Sequence, residues 1–386
     1  MTPTSSHAHQ SAPTSKPTIL VVDDEPGPRD ALKVILRPFF HVETVDCAQG
    51  ALDVLAKRPI DLITLDQKLP DRQGLDLLQD IKRQHNDIEV VIITGFGSLK
   101  SAMDGIRHGA AGYLLKPFNV TELITLINQT LEKKKRLDSI RECVALRQGC
   151  WSTDAEISAN WAALREQYRQ TGHATTTSER PPAAAEDHVT FLSTLFEAKD
   201  RNLLNHSSRV SFYATLLGNR ADLSDSEQRS LATGAFLHDI GMLALGTAAN
   251  NSQRTEPSCA DQPRLHAEIG GRMALALGLP ADVVQMISYH HERWDGKGYP
   301  NGLKGDGIPL LARIVAIAEA FDQLMTDNEG RPTWSVEDAL QAMQKLSAVA
   351  YDARLLDIFT RVVMECRHSL PALAMSGSPI GSTELN

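Results

Sequence analysis

The chain has no paired-cysteine motif, no surplus of basic residues and no uninterrupted apolar run of membrane length, and each absence closes a class of function. Its five cysteines, Cys47, Cys143, Cys150, Cys259 and Cys366, include no CxxC spacing. Their odd number argues against a disulfide-stapled secreted framework, so reduced thiols in a cytoplasm are expected. Lys and Arg number 39 against 48 Asp and Glu, a formal net charge of −9. A surface that tracks nucleic-acid phosphates needs the opposite balance on at least one face, so no nucleic-acid partner is expected, and no helix-turn-helix output is visible. The longest apolar stretch, Ile308 to Phe321, is broken by Arg313 and Glu319, and it falls short of a membrane span, so no membrane partner is expected. Residues 1–16 are Ser, Thr, His and Pro without an apolar run, which predicts a loose arm rather than a secretory signal.

What is present suffices for two ordinary domains, with 386 residues and 42% apolar content. Residues 17–135 alternate short β-branched runs with longer amphipathic segments, the rhythm of parallel strands joined by crossover helices. Strands are expected at Ile19 to Val22, Val42 to Val45, Leu62 to Leu65, Val90 to Thr94 and Tyr113 to Leu115. The near-continuous apolar character of the first, third and fourth predicts cover on both faces, hence an α/β doubly wound, five-stranded parallel sheet. Residues 136–187 read as a helical connector ending in a linker from Thr171 to Pro182. Its apolar positions sustain no clean heptad, and a connecting or dimerising helix pair, which would make a homodimer, stays open beside a solvated strut. Residues 188–370 carry Leu/Ala-rich amphipathic windows and predict an all-α domain. The Ser-, Gly- and Pro-containing stretch 371–386 is expected to be disordered.

In the first domain, carboxylates follow strand ends: Asp23 and Asp24 after the first, Asp66 after the third. In a parallel sheet these ends share one edge. Clustered carboxylates repel unless a hard cation neutralises them, and Mg²⁺ takes such ligands. Thr94 and Lys116 stand at the fourth and fifth strand ends, where a hydroxyl and an ammonium could meet a phosphoryl group, and Pro117 invites a cis bond. With Leu69-Pro70-Asp71 and Gly74 behind Asp66, this set resembles the receiver domain of two-component response regulators. The resemblance implies that Asp66 is the phosphoacceptor, that Mg²⁺ is the cofactor and that a sensor histidine kinase is the donor.

Seven of the 13 histidines follow residue 187. On a helix, the adjacent His238 and Asp239 point about 100° apart, so both reach metal only where the carboxylate bridges two ions. Two ions roughly 3.5–4 Å apart suit phosphodiester hydrolysis. His206 to Val210, His238-Asp239-Ile240-Gly241, His266 with Ile269-Gly270, His290 to Pro300, Leu303-Lys304-Gly305, Ile308-Pro309 and Ala312-Arg313 together resemble the HD-GYP family of the HD phosphohydrolases. That resemblance implies a metal-dependent phosphodiesterase that hydrolyses cyclic di-GMP to the linear dinucleotide or GMP, with two divalent ions, Fe or Mn. It places His206, His238, Asp239, His266, His290, His291 and Glu319 as ligands, with His238 and Asp239 as the catalytic pair. Arg331 and Arg313 are the implied substrate contacts. The loop Gly298, Tyr299, Pro300 is a docking surface for a diguanylate cyclase partner in the family.

Several positions depart from the family pattern. Met242 replaces a Lys that approaches substrate phosphate, and Glu319 replaces an Asp ligand, with Asp322 one turn on as an alternative carboxylate. Asn202 replaces a Glu found in three-metal members, and Asn328 stands where an Arg is expected. Losing one ionic contact costs about 1.5–3 kcal/mol, which slows rather than abolishes turnover. Two other readings therefore stand beside the phosphodiesterase: a weak or degenerate domain that binds nucleotide or protein as an output module, and a phosphohydrolase for another nucleotide.

Overall fold

The computed structural model describes residues 16–95, 104–106, 108–171, 185–245, 262–326 and 334–367. The expected arm up to Ser15, the linker beyond Thr171, the tail, Cys259, Asn328 and Arg331 lie outside the described residues. The chain divides into two compact units, residues 1–135 and 136–386.

The first unit is a five-stranded parallel sheet in the order β2-β1-β3-β4-β5. Its strands are β1 (Thr18–Val22), β2 (His41–Val45), β3 (Leu62–Leu65), β4 (Glu89–Thr94) and β5 (Gly112–Leu115). Because successive side chains point to opposite faces, the strands feed two apolar layers. Leu20, Val22, Ile63, Leu65, Val90 and Ile92 pack with Ala48 and Ala51 of α2 (Ala48–Leu55) and with Leu77, Leu78 and Ile81 of α3 (Gly74–Gln84). Ile19, Val21, Leu62, Val91, Ile93 and Leu114 pack on the other side with Leu32 and Leu36 of α1 (Pro26–Leu36), and with Leu123 and Ile127 of α4 (Val120–Ala145). Each fully buried Leu, Ile or Val contributes roughly 1.5–3 kcal/mol. Double cover explains why β1, β3 and β4 are apolar without alternation.

The second unit is helical. Helices α5 (Asp154–Gln170), α6 (Ala185–Lys199), α7 (Arg201–Gly218) and α8 (Asp225–Leu237) come first. A 3₁₀ turn, Ile240–Ala244, precedes α9 (Gln262–Ala276) and α10 (Ala281–Tyr289). Then follow α11 (Leu310–Met325), α12 (Val336–Gln344) and α13 (Ala353–Cys366). Capping boxes at Thr153/Glu156 and Ser224/Glu227 start α5 and α8, each satisfying two backbone donors that the first turn leaves open.

The stretch expected as connector joins this unit's core. Leu137, Ile140, Val144, Trp151, Ile157, Trp161 and Leu164 are buried with Phe191, Phe196, Leu237, Ile240 and Met273. Trp161 donates its indole N–H to the Met273 carbonyl at 3.2 Å and meets Trp151 edge-on, ring centroids 5.2 Å apart. Among the described residues no helix is long and apolar enough to cross a membrane.

Candidate functional sites

The sheet register assembles the first site. Val22 pairs with Leu65, and Thr94 with Leu115, so Asp23, Asp66, Thr94 and Lys116 end on one edge. Lys116 Nζ lies 2.7 Å from both Asp23 Oδ2 and Asp66 Oδ2. Asp23, Asp24 and Asp66 have carboxylate oxygens close enough to share one cation. Burial raises the Asp23 carboxyl above its usual range, with Lys116 pulling the other way. Burial also works against charge on Lys116, but the two carboxylates outweigh it and hold the ammonium protonated. The Lys116–Pro117 bond is cis.

The second site draws on five segments. His206 comes from α7, His238 and Asp239 from the end of α8, His266 from α9, His290 and His291 from the end of α10, and Glu319 from α11. The 3₁₀ turn after Asp239 approaches α9 so closely that a Cβ on Gly241 would sit 2.0 Å from the His266 carbonyl oxygen. Only glycine allows that contact, and it brings His266 Nε2 to 3.2 Å from Asp239 Oδ1. The other oxygen, Asp239 Oδ2, is 3.4 Å from His238 Nε2 and 3.7 Å from His206 Nε2. Nε2 of His266 lies 3.2 Å from that of His290 and 3.0 Å from that of His291. Two triads with metal-ligand spacing result, His206/His238/Asp239 and His266/His290/His291. The Asp239 carboxylate turns one oxygen to each.

Two of the rings are oriented from behind by main-chain carbonyls. Nδ1–H of His238 donates to the Ala235 carbonyl at 2.8 Å, and that of His290 to the Ile287 carbonyl at 2.7 Å. Both therefore turn an unprotonated Nε2 into the site in their neutral form. His238 Nε2 is buried without a hydrogen-bond partner. Burial lowers the pKa values of His238 and His290, and brings His291 down to about 3 with help from His266. Burial, then the Asp239 charge, pushes Glu319 up to about 8. Burial opposes charge on Asp239 too, yet the surrounding imidazoles outweigh it and keep the carboxylate ionised. Nitrogen lone pairs converging at about 3 Å, an orphaned ring nitrogen and two carboxyl groups form a donor set suited to divalent transition ions.

Asp322 stands behind this set. It accepts from His206 Nδ1 at 2.7 Å and from Arg209 Nε and Nη2 at 2.6 and 2.9 Å. Burial works against His206 carrying charge, but the Asp322 hydrogen bond and the Asp239 charge raise its pKa on balance. Arg313 is placed elsewhere: it pairs with Asp306 and Asp352 at 2.9 and 2.8 Å and stacks its guanidinium near Trp294. The Gly298-Tyr299-Pro300 loop folds back on the histidine cluster. A Cβ on Gly298 would lie 2.3 Å from Arg293 N, and the Tyr299 ring centroid is 4.7 Å from that of His291. Glu292, buried, holds the loop by accepting from Asn301 N and Leu303 N at 2.7 and 3.0 Å. Sequence reasoning gave no role to Arg209 or Glu292. Arg209 was detectable as a cation one turn after His206 on the same helix face, whereas nothing local announces Glu292.

Fold and sites define the class: the chain is a response regulator receiver domain followed by an HD domain. Residues 19–128 match the response regulator receiver domain family and residues 190–355 the HD domain family. HD domains are metal-dependent phosphohydrolases, and a receiver implies an upstream phosphodonor. A probable cyclic di-GMP phosphodiesterase of Vibrio cholerae serotype O1 is 28% identical, over 89% of this chain and 77% of its own. The cyclic di-GMP phosphodiesterase response regulator RpfG of Xanthomonas campestris pv. campestris is 27% identical, over 89% and 87%. A cyclic di-GMP phosphodiesterase of Thermotoga maritima is 22% identical, over 90% and 91%.

Proposed function

We propose that the HD domain is a two-metal phosphodiesterase hydrolysing cyclic di-GMP to the linear dinucleotide or GMP, and that phosphorylation of Asp66 by a sensor histidine kinase controls it. The observation that carries this reading is the Asp239 carboxylate, with one oxygen toward each histidine triad. The similarity to named cyclic di-GMP phosphodiesterases across both domains supports the substrate.

When bound, a pair of divalent ions, Fe or Mn, supplies Lewis-acid charge and lowers the pKa of water. His206, His238 and Asp239 would hold one ion, and His266, His290, His291 and the second Asp239 oxygen the other, with Glu319 completing the set. The backbone carbonyls behind His238 and His290, and Asp322 behind His206, fix ring tautomer and direction. Asp23, Asp24 and Asp66 would hold Mg²⁺ in the receiver, and Lys116 would pair with a phosphoryl oxygen on Asp66. The domain limits proposed are 17–135 for the receiver and 188–370 for the HD-GYP domain, whose core the apolar residues of 137–164 complete. A diguanylate cyclase as partner at the Gly298-Tyr299-Pro300 loop, a homodimer and a cytoplasmic location belong to the same reading.

Protein loaded with Fe²⁺ or Mn²⁺ should linearise cyclic di-GMP. H238A and D239A should each lose more than the roughly hundredfold that removal of a merely supporting residue costs. No turnover with any metal, alongside retained binding of the nucleotide, would instead support an output module that binds without hydrolysis. A second substrate class has its own support. A 3'3'-cGAMP-specific phosphodiesterase of Vibrio cholerae serotype O1 is 26% identical over 62% of this chain and 56% of its own, so 3'3'-cGAMP belongs in the same assay.

A further inference from the structure

A cyclic dinucleotide carries two phosphodiesters, and only one can sit on the metal pair during a hydrolytic event. The second keeps a full negative charge and needs a cation. Position 242, beside Asp239 in sequence, is a partly buried Met and supplies none. The arginines around the site are mostly committed. Arg209 is bound to Asp322, Arg293 to Asp295, Arg313 to Asp306 and Asp352, and Arg272 to Asp154.

Arg264 differs. It is exposed on α9, two residues before His266. Its guanidinium carbon lies 5.7 Å from the centroid of the Tyr299 ring, the same ring that packs 4.7 Å from His291. Among the described residues no carboxylate pairs with it. The aromatic face places the cation without consuming its hydrogen-bonding fork, leaving the N–H donors for a phosphate, which a guanidinium can grip bidentately.

Building on the phosphodiesterase reading, we infer that Arg264, positioned by Tyr299 at the rim of the metal centre, binds the non-scissile phosphate of a cyclic dinucleotide. The site's discrimination for two-phosphate substrates then comes from this residue.

The test compares the metal-loaded full chain with R264A, R264K and the distant charge control R220A, using cyclic di-GMP and the single-phosphorus diester bis(p-nitrophenyl) phosphate. R264A should raise KM for cyclic di-GMP by roughly ten- to a hundredfold, the loss of one charge-assisted contact. It should leave kcat, metal content and turnover of the single diester unchanged, and R264K should recover part of the loss. Equal loss on both substrates, or no loss on either, overturns the inference while leaving the phosphodiesterase reading intact. If the wild type turns over no cyclic dinucleotide, calorimetric binding of cyclic di-GMP decides. Weaker binding by R264A supports the contact, equal binding overturns it, and no binding by the wild type overturns both readings.

Discussion

Asp322 has both carboxylate oxygens occupied, one by Arg209 alone and one by Arg209 and His206 together. Burial works against its charge, yet these two partners hold its pKa below the usual carboxylate range. Such a pair is stable only while complete, because either member alone would be a buried uncompensated charge. Its consequence for the site is directional: the Nδ1 contact leaves His206 Nε2 facing Asp239. The spacing of Glu319 and Asp322, one turn apart, suggests two interchangeable ligands in the sequence. Only the fold shows that Asp322 is engaged by α7, because Arg209 lies more than a hundred residues away in the chain. Lys199 is a simpler residue-scale case. Burial lowers its pKa from 10.5 to about 8, while Nζ donates to the Leu245 carbonyl. Between those two values the unfolded chain binds the proton that the folded one has released, so stability rises with pH through that window. Urea unfolding from pH 7.5 to 10.5, values of about the same range, should show that rise in the wild type and a flatter profile in K199M. Parallel profiles would mean that the amine is hydrated as in the unfolded chain.

Elements were unequally legible. β1, β3 and β4 declared themselves because double cover leaves an unbroken apolar run, and Leu62–Leu65 has the same bounds in sequence and structure. The residues of the two triads were legible as motifs, since adjacent pairs such as His238-Asp239 and His290-His291 keep their spacing at helix ends. Residues 137–164 were not. Their apolar positions follow no heptad because they do not face one partner helix. They meet a mixed surface of α6, α8, the 3₁₀ turn and α9. Trp151, Trp161 and Leu164 are nearly or wholly inaccessible there, and removing one buried Trp side chain costs about 3–5 kcal/mol. A chain beginning at 136 should therefore unfold in one cooperative transition, whereas one beginning at 188 should be insoluble or unfold without a baseline. Equal midpoints by circular dichroism would show that α5 is dispensable to this core.

At the scale of the whole molecule, the question is how a charge added in the first unit is felt in the second, which residues 119–187 join to it in sequence. Lys116 spans Asp23 and Asp66 at 2.7 Å each. A phosphoryl group on Asp66 replaces the single carboxylate charge with roughly two on the phosphoryl oxygens, a net gain of about one, and Lys116 can then exchange its contact with the Asp66 carboxylate for one with a phosphoryl oxygen. That exchange can shift the second unit only if its active and inactive arrangements differ in free energy of coupling to the receiver, for which about 1–3 kcal/mol is typical. Acetyl phosphate with Mg²⁺ should then label the wild type and change its rate on cyclic di-GMP, while D66N takes no label and keeps one rate with or without the donor. Label on D66N would move the acceptor to another residue. A labelled wild type whose rate does not change would uncouple the receiver from catalysis and leave it to act through a partner.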